Sequence, residues 1–215
     1  MVVATRSGVV SLLVTVTLAI PACRRGTGVP ASPPATSESP ANASATVRVV
    51  GPLSPEDAQA LATMNDRLKE YIELHQKLER TLLSVPKEAT PQQIDQNQRA
   101  LETIVRQSRA AAKPGDIFTP ETRPVIKRLL ASVFGGPDGK QLKASVMDEN
   151  PVGIKVAVNS RYPDSVPLST MPPEVLQTLP KLPEELEYRF VGDRLILFDL
   201  HAHIIADFIE DALPK

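Results

Sequence analysis

The chain has 215 residues, with 24 lysines and arginines against 25 aspartates and glutamates, 4% aromatics and no tryptophan. A net charge near zero gives no electrostatic case for a nucleic acid or an anionic surface as partner, and so few aromatics make a base-stacking platform improbable. A single cysteine excludes an intramolecular disulfide.

At the N-terminus Arg6 precedes an apolar stretch from Val9 to Ile20. That stretch is shorter than the ~20 residues a spanning helix needs, so residues 1–22 read as a signal peptide. It ends in "AIPAC", residues 19–23. This resembles the lipobox of bacterial lipoproteins, with Ile20 and Ala22 in pattern and Pro21 departing from it. The resemblance implies that Cys23 is lipidated, carries palmitate-type chains and becomes the mature N-terminus. It also implies a cell-envelope protein facing the periplasm or the cell surface, with a membrane as partner through the anchor. Simple cleavage after Ala22, giving a soluble periplasmic or secreted protein, is the alternative. Residues 23–53 follow as a linker. Its "GTGVPASPPATSESPANASA" has almost no large apolar side chain to offset the entropy of ordering, and spans roughly 30 Å as a coil.

Ser54 is the expected N-cap of a first helix, with Pro55 at its first position and Glu56 and Asp57 in its first turn. Leu61, Met64, Leu68, Tyr71, His75, Leu78, Leu82 and Val85 recur at spacings of three and four, an apolar seam running to Pro86. His75, inside that seam, could serve as a ligand or a pH switch, but with no acid near it in sequence read on the same stripe it is expected to be a flanking or core histidine with one hydrogen bond. Glu70, Glu73, Lys77, Glu79 and Arg80 form a solvated outer face. "TPQQ" at Thr90 to Gln93 predicts a capping box opening a second helix with Ile94, Leu101, Ile104, Val105, Ser108 and Ala111 inward. The short connection folds the pair into an antiparallel hairpin over residues 54–113.

Residues 114–215 read as α+β. A third helix is expected from Thr122 to Phe134, closed by Gly135, and a short one from Lys140 to Met147. "VGIKVAVN" from Val152 to Asn159 alternates as a strand does. Six prolines between Pro163 and Pro183 then forbid a central strand or long helix. Within that stretch a turn or two of helix fits Pro173 to Thr178, with Leu176 and Leu179 as pins. Arg161, Tyr162 and Asp164 fit either a ligand contact or an ordinary surface loop. "LEYRFVGDRLILFD" predicts a β-hairpin turning at Gly192-Asp193, with the returning strand apolar on both faces and therefore central.

The last stretch, "DLHAHIIADFIED", holds two of the three histidines. Leu200, Ile204, Ile205, Phe208, Ile209, Ala212 and Leu213 follow helical spacing, with Asp199 as N-cap. On that helix His201 and His203 lie about 200° apart and cannot share an ion, while His203 and Asp207 make a surface i, i+4 contact. An extended backbone would instead put both imidazoles on one face. The expected fold is α+β: an N-terminal antiparallel helical hairpin, then a small three-stranded antiparallel sheet packed with helices. No catalytic residue and no cofactor is expected, since no G-x-S-x-G, C-x-x-C or H-E-x-x-H occurs. The expected function is a lipid-tethered, non-catalytic binding or assembly module, with a protein partner or second copy meeting the hairpin. A metal-binding or metal-assisted protein using His201, His203 and Asp207 is one alternative, and a purely structural envelope protein the other.

Overall fold

A computed structural model describes residues 53–151 and 153–215. The expected signal peptide, Cys23 and the expected linker up to residue 52 lie outside the described residues. Five helices and three strands follow: α1 (Pro55–Glu79), α2 (Pro91–Ser108), α3 (Thr122–Phe134), α4 (Gly139–Asp148), α5 (Pro173–Thr178), β1 (Leu186–Val191), β2 (Arg194–Asp199) and β3 (Ile204–Ile209). The class is α+β, as expected.

Local chemistry accounts for the helix ends. The Asp57 amide donates to the Ser54 hydroxyl at 3.1 Å, and Thr90 and Gln93 exchange the reciprocal bonds of a capping box. The first helix ends at Glu79, not at Pro86. Thr81 is the physical reason: its amide and its hydroxyl both turn back to the Leu78 carbonyl, at 2.9 and 2.6 Å, and tighten the chain out of the α-helix. Leu83 and Val85 are therefore exposed and do not continue the seam. In α5 it is Val175 that is buried along with Leu179, whereas Leu176 faces solvent.

The sheet is antiparallel in the order β1-β2-β3, with β2 central. Gly192 turns the first hairpin at φ +61°, a conformation that costs an L side chain roughly 1 kcal/mol. One face carries Leu186, Tyr188 and Phe190 of β1 with Leu195 and Leu197 of β2. It packs into a core with Met64, Leu68 and Tyr71 of α1 and Ile126 and Leu130 of α3. The opposite face carries Ile196, Phe198, Ile205 and Phe208, covered by Tyr162 and by the partly buried Ile154, Val156, Val158, Val166 and Leu168.

Two further expectations are overturned. The segment expected as a strand from Val152 to Asn159 is irregular over its described residues. Its alternating apolar side chains lie across a sheet face instead of joining the ladder, and it touches the edge of β3 only at its end. There Asn159 N donates to Ile205 O at 2.8 Å, and Ile205 N to Ser160 O at 2.9 Å. The last stretch is not a helix. Residues 200–203 turn, and Ile204–Ile209 form β3, buried at every position. A strand covered on both faces is a continuous apolar run, and such a run can mimic helical spacing. Asp199 still caps, since its Oδ1 accepts from Ala202 N at 2.8 Å, but what it caps is a turn.

Candidate functional site

The turn from β2 to β3 separates its two histidines. His203, at φ +56°, stands edge-on to Phe198 with ring centroids 5.1 Å apart, on the side of the irregular segment. Its Nε2 lies 3.5 Å from Asp164 Oδ1. Burial first, then the Arg161 charge, hold the His203 imidazole below its ordinary pKa. His201 turns the other way, toward α1, with its ring 5.4 Å from that of His75. The two imidazoles diverge because they leave opposite sides of a tight turn, not because a helix rotates them.

Asp207 does not meet His203 either. It is fully buried on β3. Its Oδ1 accepts from Gly115 N at 3.0 Å and Phe208 N at 2.8 Å. Its Oδ2 accepts from Ile117 N and Phe118 N, both at 2.8 Å. Four backbone amides occupy the carboxylate, and the surface contact expected for it is replaced by a pin holding residues 115–118 to the sheet.

The arrangement with chemical capacity lies where the end of β2 meets α1. Asp199 is fully buried. Its Oδ2 accepts from Tyr71 Oη at 2.5 Å and faces His75 Nδ1 at 2.7 Å. A carboxylate has no hydrogen to give, so His75 carries its hydrogen on Nδ1. Burial, then the Asp199 charge, push the Tyr71 phenol well above its ordinary pKa and keep it a donor. The Arg109 guanidinium stands 4.7 Å over the Tyr71 ring and closes that side. Burial works against a charged His75, but the hydrogen bond and charge of Asp199, with Glu79 and Glu185 beyond, outweigh it and raise its pKa.

The second nitrogen of His75 is, among the described residues, one of four buried side-chain nitrogens without a hydrogen-bond partner, with His203 Nε2, Arg189 Nε and Arg194 Nε, and the one of the four that belongs to the His75, Glu79 and His201 cluster. The side chain is fully buried, and Nε2 has no hydrogen-bond partner. The nearest carboxylate oxygen, Glu79 Oε2, is 3.6 Å away, beyond a good hydrogen bond. The other oxygen of Glu79 lies 3.0 Å from His201 Nδ1. Glu79 and His201 are half-exposed, so Nε2 lies buried directly behind a carboxylate and a second imidazole. One donor atom from each of His75, Glu79 and His201 lies within 4.8 Å of the others. Glu185 stands beside them, its Oε1 accepting from Gln76 Nε2 at 2.7 Å. Burial opposes its ionisation, but the Gln76 bond, a backbone hydrogen bond and the neighbouring His75 and His201 together outweigh it and pull its pKa below the ordinary value.

Two other concavities lie along α1. A groove of about 350 Å³ is lined by Leu68, Ile72, Leu182 and Pro183 with Asn65, Lys69, Glu73 and Lys181. One of about 460 Å³ is lined by Pro55, Glu56, Gln59, Ala60, Thr63 and Glu121. Neither has a buried polar side chain in its lining, so neither offers an anchored ligand contact of the kind His75 provides.

Sequence reasoning places His201 in a cluster but with the wrong companions. It assigns Glu79 to the solvated face and His75 to the core without noting that they are four residues apart on one helix, hence neighbours. That spacing was the available signal. The Asp199 partnership spans the whole folded chain and leaves no local trace. Arg161, Tyr162 and Asp164 fall elsewhere. Arg161 links Glu102 and Gln98 of α2 to Asp164, at 3.0, 3.0 and 2.6 Å, and stitches the irregular segment to that helix.

No protein family matches the chain, and no characterised protein or solved structure matches it.

Proposed function

We propose that the chain is an exported cell-envelope protein tethered to a membrane through Cys23, with a folded part that is a non-catalytic binding module. Its binding site is the cluster formed by His75, Glu79 and His201. The tether rests on "AIPAC" and on the Pro/Ser/Ala-rich linker that follows it. The binding role rests on one observation, the buried and unpartnered Nε2 of His75 opening onto two half-exposed donors. Buried polar atoms are nearly always satisfied, and one held open by a buried carboxylate behind it marks a contact kept for something else. The helical seam is the weaker surface, because Met64, Leu68, Tyr71 and His75 are buried within their own chain.

Expression of the full chain and of Cys23→Ser in a bacterial host, followed by membrane fractionation, tests the tether. The wild type is expected in the membrane fraction and the variant in the soluble exported fraction. Equal distribution of the two would overturn it.

A further inference from the structure

We infer that the donor cluster at the junction of α1 and the β2–β3 turn is a binding site for a single borderline divalent metal ion of the zinc class, ligated by His75, Glu79 and His201 and supported by Asp199. The inference rests on the binding-module reading and names its ligand.

The chemistry of the donors selects the ion. Two imidazoles and one carboxylate suit zinc and its neighbours, whereas magnesium and calcium prefer all-oxygen sites. Three protein ligands leave a fourth position for water or an exchangeable group, and here that position faces solvent past the half-exposed His201.

The donor atoms lie somewhat wider than a bound ion would hold them. Tetrahedral bonds of about 2.0–2.1 Å put donor atoms roughly 3.3 Å apart. Here they already lie within 4.8 Å of one another. Glu79 and His201, both half-exposed, supply the remaining movement through rotamer changes. His75 need not move.

The surroundings make the site more than a chance grouping. Metal-ligating histidines generally donate their other ring N–H to a carboxylate, which fixes the tautomer and orients the lone pair. His75 does this to Asp199 at 2.7 Å, and Asp199 is itself held by Tyr71 and by Ala202 N. In the neutral ring with its hydrogen on Nδ1, the Nε2 lone pair is thus held facing Glu79 and His201 by buried residues, and an ion would bind there in place of a proton. Asp199 behind, Glu79 in front and Glu185 alongside also place negative charge where a dication would sit.

Isothermal titration of the full, chelator-stripped chain with zinc chloride tests this, with magnesium chloride as the contrast. One equivalent of zinc is expected to bind, and magnesium is not. His201→Ala and Glu79→Gln alter half-exposed side chains, should leave the fold intact by circular dichroism, and should each weaken zinc by at least about tenfold. Asp199→Asn, which touches no ion, should cost about 10–100-fold in affinity. His203→Ala should bind as the wild type does. Absence of stoichiometric zinc binding, or equal affinity in the wild type, His201→Ala and Glu79→Gln, would overturn the site. Either result would leave the membrane fractionation of Cys23→Ser untouched, so the metal and the tether fail separately.

Discussion

Asp199 and Asp207 are buried carboxylates on neighbouring strands, and their partners give them different roles. Asp207 is saturated by backbone amides and has no capacity left for a ligand. Asp199 accepts from two side chains, one of which passes the polarity on through an imidazole to the surface. Asp207→Asn would turn an NH2 group toward converging amide donors. It should destabilise the fold by about 1.5–3 kcal/mol, the scale of hydrogen bonds to a charged group. Urea unfolding measures this, and a midpoint equal to the wild type's would show that the four amides contribute nothing. No nearby residue foretells either partnership, because Asp207 meets residues 115–118 and Asp199 meets residues 71 and 75. Their acidity was legible, and their burial was not.

The elements differ in how plainly their residues announce them. The third helix, the capping box at Thr90 and the turn at Gly192 follow from local rules of spacing, hydrogen-bonded caps and backbone freedom, and the structure has all three. β3 escapes those rules. Ile204, Ile205, Phe208 and Ile209 fit a helical stripe, and only the tertiary setting, β2 on one side and apolar cover on both faces, makes them a strand. The irregular segment is the converse case, since its strand-like alternation serves to cover a face. The helical seam likewise reads correctly as apolar but stops early, where Thr81 closes the helix. Stability should follow this anatomy. Phe198→Ala on central β2, fully buried against Tyr162, should cost about 3–5 kcal/mol. Leu83→Ala beyond the end of α1, 91% exposed, should change stability by no more than about 0.5 kcal/mol. Equal losses in chemical unfolding would contradict the assigned end of α1 and the central place of β2.

In the molecule as a whole, the chain's two informative regions are far apart in sequence. The first residues carry the sequence on which the proposed export and anchoring rest, and it is read entirely locally. The candidate site is assembled from α1 and the β2–β3 turn, so it exists only when the chain folds. This is why His201 stood out from the sequence while His75 and Glu79 did not. The account turns on His75, whose Nδ1 is held by Asp199 and whose Nε2 is free for an ion. Long-range imidazole 15N–1H NMR spectra of the full chain, recorded before and after one equivalent of zinc, report on those two nitrogens directly. The account predicts that the His75 Nε2 and one His201 nitrogen shift on metal addition, the His75 Nδ1 proton stays in place, and His203 is unchanged. Spectra in which no His75 resonance moves, or in which His203 moves with His201, would contradict it.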